Sequence, residues 1–407
     1  MQVLKAYRYR LKTNPDLESA FRKFSGCTRF VWNKALAVQK DRLSNGQRCR
    51  SYEDMTSLLP SWKKELPFLK EAHSQILQQR MKDLADAINA VFSPDNPKGF
   101  PKFKKKHKSA SSFRYPQGFV ISGNRIFLPK IGWVRFFKSR EIVGKPKNCT
   151  VSEHGGYWYI SVQTESVVPE PVPPSSSAIG VDMGKVNIVA LSNGDKKEPV
   201  SAYNTMMERL AKLQRRLARM VKRSNNWKKQ KLRIKRLHAR IADIRNGHLH
   251  NISSDMSKNH ALVFVEKLPV KIMTKSAKGT VDRPGNQVKR KSALNRAILD
   301  QGWYELRRQL EYKLRFRGGS LHAVPPENTS QTCSNCFHVS PENRPSRSLF
   351  YCTKCGHTED ADVNAAKNIL RVGLTRLACG SNGAVMPSEA GTYRVSACAD
   401  NAGIIGL

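Results

Sequence analysis

Residues 178–203, AIGVDMGKVNIVALSNGDKKEPVSAY, decide the fold of the second half of the chain. An apolar strand from Ala178 closes in Asp182, Met183-Gly184 turns, Val186 to Leu191 reads as a second strand, and Asn193-Gly194 turns into a third short one. A carboxylate that ends a buried strand needs compensation, because an isolated ionised group there is heavily penalised or neutralised. A salt bridge, a helix cap or a divalent cation would each supply it. The same need recurs in residues 261–268, ALVFVEKL, a short apolar strand ending at Glu266.

Between these strands, residues 205–245 hold 15 Lys or Arg against two acids. Leu210, Leu213, Leu217 and Met220, then Ile234, Leu237, Ile241 and Ile244, form apolar stripes, which predicts two amphipathic helices joined near Ser224-Asn225-Asn226. Residues 271–292 read as a polar loop, 294–316 as one helix through Ile298, Trp303, Leu306, Leu310 and Leu314, and LHAVPPENTS from Leu321 as strand then loop. Hairpin, third strand, helices and further strand follow the order of a ribonuclease-H-like domain.

Cys333-x2-Cys336 and Cys352-x2-Cys355 stand 15 residues apart, the spacing of two knuckles that close a four-cysteine zinc site. Four thiolates fill the tetrahedral shell, so the zinc is structural and neither His338 nor His357 is required as a ligand. Directly after comes DADVNAAKNI, where Ala365, Ala366, Ile369 and Leu370 mark a helical stripe and Asp362 or Asn364 falls in its first turn or cap. One reading of Asp362 is a cap. In the other, the helix start sets Asp362 against the strand ends that carry Asp182 and Glu266, and three carboxylates chelate two Mg²⁺ for in-line phosphodiester hydrolysis. No P-loop, dinucleotide GxGxxG or HExxH element occurs in the sequence.

The front half differs in character. Residues 2–11 read as a strand, 16–95 as helices broken at Pro60 and Pro67, and 94–108, PDNPKGFPKFKKKHK, as a basic loop with Phe100 and Phe103 among the lysines. Residues 111–136 and 157–165 carry the aromatics, β-branched residues and turns of a small antiparallel sheet or barrel. If the first strand joins that barrel, the helices are an insertion into it. The prolines and serines of residues 167–177, VVPEPVPPSSS, mark the boundary between the halves. From about Gly380 large apolar residues thin out, which predicts a disordered tail.

With 71 Lys plus Arg against 32 Asp plus Glu, the formal charge of +39 makes a nucleic acid the expected partner and a membrane a distant second. No apolar run approaches membrane-spanning length, and nine cysteines, five of them scattered (Cys27, Cys49, Cys149, Cys379, Cys398), fit a reducing compartment.

GVDMG, VFVEKL, the CSNC and CTKC pairs and DADVNAAKNI, joined by YRYRL at 7–11, CTRFVWNKAL at 27–36, GFPKFKKK at 99–106 and GWYELRRQLEYK at 302–313, together resemble one family. It is TnpB, also called OrfB: transposon-encoded RNA-guided endonucleases related to the type V CRISPR nucleases. The resemblance implies a multidomain α/β protein. Residues 1–14 and 96–168 would form a wedge β-barrel with a helical recognition domain, 15–95, inserted; 169–177 would be a linker. Residues 178–327 and 361–378 would form a ribonuclease-H-like (RuvC-like) nuclease domain, including the basic hairpin 205–245, with a zinc ribbon, 328–360, inserted and a tail, 379–407, beyond. Asp182, Glu266 and Asp362 match the family's catalytic triad, and Cys333, Cys336, Cys352 and Cys355 its zinc ribbon. Asp360 lies in the same acidic element, but Asp362 matches the catalytic position before NAA.

Further implications are catalytic Mg²⁺, two ions with Mn²⁺ as a substitute, structural Zn²⁺, a guide RNA from the transposon end, a double-stranded DNA target with a short adjacent motif, one protein copy per guide RNA, and a prokaryotic cytoplasmic, nucleoid-associated location. Nucleic-acid contacts are expected from Arg29, Lys102, Lys104, Lys105 and Lys106, and from Arg215, Arg216, Arg219, Lys222 and Arg223 in the basic helices. A guided repressor without cleavage and a strand-transferring transposase are the alternatives.

Overall fold

The structure, a computed structural model, describes residues 2–93, 99–106 and 109–379. The expected tail from residue 380 onward, and Pro94 to Lys98, His107 and Lys108 of the basic loop, lie outside the described residues. The chain divides into two compact units, one of Met1–Pro169 with Lys222–Ala239, the other of Glu170–Val221 with the chain from Arg240 onward. The basic hairpin expected whole in the nuclease domain is thus divided: residues 222–239 group with the first unit.

In the first unit, strand β1 (Gln2–Arg10) is followed by helices α1 (Pro15–Ser44), α2 (Tyr52–Thr56), α3 (Leu59–Glu65) and α4 (Ser74–Asn89). Asn14 starts α1 by accepting the Leu17 N–H at 2.8 Å, with Pro15 in the first turn where no N–H is needed. Strands β2 (Ser112–Tyr115), β3 (Val120–Ser122), β4 (Arg125–Leu128), β5 (Gly132–Arg135), β6 (Lys145–His154) and β7 (Tyr157–Val167) follow. They form a four-stranded antiparallel sheet, order β1-β7-β6-β2, and a three-stranded one, β3-β4-β5. The helices have no core of their own: Phe21 of α1 packs on Phe113 and Trp158 of the sheet, so helices and strands share one apolar interior. At the β6–β7 turn, Gly155 and Gly156 have positive φ, and a Cβ on either would meet Ala239 or Leu232 within 2.5 Å, so the turn is bare where a helix lies on it.

The second unit holds β8 (Ala178–Asp182), β9 (Val189–Leu191), β10 (Lys196–Lys197), α5 (Ala202–Ala218), α6 (Asn225–Asn259, from Arg240 in this unit), β11 (Leu262–Glu266), α7 (Val270–Met273), α8 (Val288–Gln301), α9 (Trp303–Arg315), β12 (Ser320–Val324), β13 (Leu349–Tyr351), β14 (Thr358–Asp360) and α10 (Ala361–Ala378). Its main sheet has the order β10-β9-β8-β11-β12, with the first three strands antiparallel and β8, β11 and β12 parallel. That is the mixed order a ribonuclease-H-like sheet requires. Apolar residues of β8 and β11 occupy both faces, as a covered parallel pair demands.

Three details differ from the sequence reading. The second strand begins at Val189, not Val186, which is 56% exposed. The expected single helix over 294–316 is two, because Gly302 sits at φ 72° and breaks the ladder between α8 and α9. Helix α8 also starts at Val288, inside the expected polar loop. No helix among the described residues is long and apolar enough to cross a membrane.

Helix α10 lies tightly across the sheet. A Cβ on Gly180 of β8 would stand 2.1 Å from the Ala366 carbonyl oxygen, and one on Gly373 would stand 2.1 Å from the Phe264 ring. Gly180→Ala should therefore cost about 1–3 kcal/mol, since the helix must move off the strand. Gly247→Ala is the contrasting case, exposed in α6 with nothing within 4 Å. It should gain about 0.5–1 kcal/mol through helix propensity. Denaturant unfolding midpoints of the two variants should move in opposite directions.

Candidate active site

Asp182 and Glu266 are the last residues of neighbouring parallel strands. The register pairs Val181 with Val265, so the two acids stand one step beyond that pair, on strands about 4.8 Å apart and projecting to the same face. Asp362 reaches them from a third direction, as the second residue of α10. The loop after β8 meets it: the Asn187 amide donates to Asp362 Oδ2 at 3.4 Å, and a Cβ on Gly184 would come within 3.9 Å of the same oxygen. Arg344 of the cysteine-bearing segment brings a guanidinium to 3.7 Å from Asp362 Oδ1. Thr329 donates its hydroxyl to Glu266 Oε1 at 3.2 Å.

The electrostatics follow from this crowding. Burial, then the charges of Asp362 and Glu266, push Asp182 up to about 7 against the pull of Arg344 and the Met183 N–H. Burial also raises Glu266, which the Thr329 hydroxyl partly offsets. Three carboxylates thus share one field with a single arginine touching one of them. The group is wider than a one-ion cage: among the described residues only the four cysteines bring three or more ligand atoms within 4.8 Å of one another.

Asp360 has a different task from Asp362. It caps α10, accepting the N–H groups of Asp362 and Val363 at 3.1 and 3.2 Å, and pairs with Lys196 at 2.6 Å. Burial opposes its ionisation, but Lys196 and the capped N–H groups outweigh this and hold its pKa down.

The cysteine site is compact. Cys333 Sγ lies 3.7 Å from Cys355 Sγ, and Cys336 Sγ 3.5 Å from Cys352 Sγ. A zinc tetrahedron with Zn–S near 2.3 Å has edges of about 3.8 Å, so the four sulfurs fit that ion. Both histidines serve through their backbones, the His338 and His357 carbonyls accepting the N–H groups of Cys333 and Cys352 at 2.9 Å. Burial pushes Cys336 up to about 12, whereas the His357 N–H brings Cys355 down to about 6.

Two buried asparagines join this metal site to the acids. Asn364 of α10 accepts the Ser334 N–H at 2.9 Å and donates to the Thr332 carbonyl at 2.9 Å; Asn368, one turn on, donates to the carbonyls of Thr329 and Thr332 at 3.0 and 2.7 Å. Sequence reasoning took neither asparagine, nor Thr329, Asn187 or Arg344, as part of the site. The buried face of α10 was the available signal, since an asparagine there must be hydrogen-bonded.

The basic candidates are spread over separate surfaces. In the first unit, Arg29 lines a cavity of about 400 Å³ with Lys23, Phe30 and Phe68. Lys102, Lys105 and Lys106 are exposed, but Lys104 is half-buried, its Nζ 3.4 Å from the centre of the Trp32 ring, and burial and Arg80 lower it to about 8. Asn33 brackets its backbone through N–H and carbonyl at 2.8 and 3.0 Å, so Lys104 also anchors the loop. Lys222 and Arg223 are exposed in the same unit. In the second unit, Arg215, Arg216 and Arg219 are exposed along and just beyond α5.

Residues 303–369 match the family described as "Cas12f1-like, TNB domain", 160–277 that described as "Probable transposase" and 1–48 a "Helix-turn-helix domain". The last stretch is here one strand and one 30-residue helix. The chain is 49% identical over 384 residues to the "Putative RNA-guided DNA endonuclease InsQ" of Escherichia coli (strain K12), with 93% of this chain and 95% of InsQ covered. It is 33% identical over 387 residues to a protein of the same designation from Streptomyces pristinaespiralis, covering 93% and 92%. Among solved structures it resembles Cas12f1 in a complex with sgRNA and target DNA, with TM-score 0.51 and 13% identity over 90% of this chain and 98% of that one. That likeness concerns the fold alone.

The carboxylate field has a signature in stability. An acid whose pKa rises from 3.8 to about 7 on folding keeps its proton longer when folded, so its contribution to stability falls as pH rises from about 4 to about 7 and is flat above. Without added divalent cation, Asp182→Asn should be more stable than the parent at pH 8, and the gap should close toward pH 4 in denaturant unfolding. For the cysteines, elemental analysis should find about one zinc per chain, and Cys352→Ser should lose it and open residues 328–360 to protease.

Proposed function

The chain belongs to the TnpB (OrfB) family of transposon-encoded RNA-guided DNA endonucleases, and from that premise we propose that it hydrolyses target DNA at Asp182, Glu266 and Asp362 with Mg²⁺. The observation that carries this reading is that Asp182 and Glu266, at the ends of neighbouring parallel strands, and Asp362, at the start of a helix, are brought into one electrostatic group from distant parts of the chain. A protein of charge +39 gains nothing from a pocket of mutually repelling carboxylates unless a cation mediates between them and an anionic substrate.

The residues divide the work. Asp182 and Glu266 offer oxygens from two strand ends, and Asp362 offers its own from the helix start. Thr329 orients Glu266, and Asn187 orients Asp362. Arg344 stands where a guanidinium can meet a phosphate oxygen beside Asp362. Bound to the three carboxylates, Mg²⁺ supplies activation of water and stabilisation of the leaving 3′ oxygen. The four cysteines hold Zn²⁺ for structure alone, since the thiolates fill its shell.

Guide RNA and double-stranded target DNA are the partners. Sequence is read by base pairing, while the protein holds backbone and reads a short flanking motif. The helical and barrel part fits a recognition and wedge role, with Arg29, Lys102, Lys105 and Lys106 on phosphates, and the exposed arginines of α5 suit the guide–target hybrid. A cytoplasmic, nucleoid-associated location follows from those partners.

Purified with its co-expressed RNA, the protein should cut a matched duplex in Mg²⁺ and not without divalent cation. Asp182→Ala should lower single-turnover cleavage by about 10²–10³-fold or more while guided target binding persists. Full binding with no cutting by the parent protein would favour the repressor, and RNA-independent strand joining the transposase.

A further inference from the structure

A cavity of about 420 Å³ has Glu266 in its wall and other residues to which the hydrolysis described above assigns no task. Its walls are apolar, with Met183 and Trp303 each 6% exposed and Leu268 partly buried. Tyr304, the second residue of α9, also lines it, yet is 77% exposed and makes no hydrogen bond or ring contact among the described residues. Two exposed cations, Lys271 and Arg307, complete the lining, and neither is ion-paired among the described residues.

This composition selects its occupant. An aromatic ring left in water beside unpaired cations is the pairing that single-stranded nucleic acid uses, with a base face on the ring and phosphates on the cations. A base pair inside a duplex offers no face to such a ring until it is unstacked. Because Glu266 belongs both to the cavity and to the acid triad, whatever fills the cavity lies next to the reacting phosphate. A carboxylate in the wall also disfavours a free anion as the ligand and favours a strand that arrives with its cations.

We propose that this cavity seats one unstacked nucleotide of the DNA strand being cut, its base against Tyr304 and its phosphate on Arg307 and Lys271. The proposal rests on the nuclease reading. It makes Tyr304 a positioning residue, which fixes the scissile phosphate relative to the carboxylates and plays no part in guide pairing or target capture.

The test uses the full chain with its co-purified RNA and a matched duplex carrying 5-bromodeoxyuridine in turn at each position flanking the observed cut. Ultraviolet irradiation in Ca²⁺ should cross-link one such position to the peptide containing Trp303 and Tyr304. Tyr304→Ala should lose that cross-link and slow single-turnover cleavage in Mg²⁺ by about tenfold, with target binding and melting temperature unchanged. Tyr304→Phe, which keeps the ring, should behave as the parent. Wild-type cleavage by Tyr304→Ala, or cross-links that map only elsewhere while the parent protein cuts, overturns the subsite and leaves the nuclease reading standing. A parent protein that binds its target and never cuts overturns both.

Discussion

Three carboxylates that repel one another must be kept together in the second unit, and most of the surrounding structure can be understood as the means. Asp182 and Glu266 are held by the hydrogen-bond register of β8 and β11, which cannot slip by one residue without turning the buried faces of both strands outward. Asp362 is held by a helix, and the helix by three fasteners. Gly180 lets it approach the sheet at backbone distance, Asp360 caps it and ties it to Lys196, and Asn364 and Asn368 bond it to the loop below the cysteines. Each fastener is a buried or half-buried polar contact, or a missing side chain, where a substitution would leave a group unsatisfied or overpacked.

The zinc site takes its meaning from those asparagines. Among the described residues, the loop around Cys333, Thr329 to Ser334, supplies the hydrogen-bond partners of Asn364 and Asn368 and also the Thr329 hydroxyl on Glu266. The same segment carries Arg344 to Asp362. The cysteine-bearing segment and two of the three carboxylates are therefore tied together, Glu266 through Thr329 and Asp362 through Arg344.

How much of this the sequence disclosed depended on how local the signal was. The cysteine pairs and the strand ends at Asp182 and Glu266 are written in short patterns, and the hairpin turns fixed the antiparallel edge of the sheet. Asp362 was ambiguous between cap and ligand; the structure gives the cap to Asp360, two residues earlier, and sets the Asp362 carboxylate against Asn187 and Arg344. Arg344, Thr329 and Asn187 were illegible because each acts on a residue 18 to 175 positions away with no periodicity to mark it. Gly302 was legible in principle, but one glycine in a helical pattern is usually tolerated, and only its left-handed φ shows that it divides α8 from α9. Lys104 looked like its neighbours in KFKKK; Asn33 and Trp32, about 70 residues earlier, make it different.

The same reasoning bears on the excess of positive charge. Charge alone would place a polyanion anywhere on this chain, and the first unit has basic surface enough to hold one. What charge cannot do is choose which phosphate reacts. That selection needs a region where the prevailing sign reverses, so that backbone approaches only with its cations, and a device that turns the strand at that point. The acid triad supplies the reversal. Among the described residues lining the cavity beside it, the exposed ring of Tyr304 with unpaired Arg307 and Lys271 is what the proposed subsite would use to favour an unstacked base over a duplex.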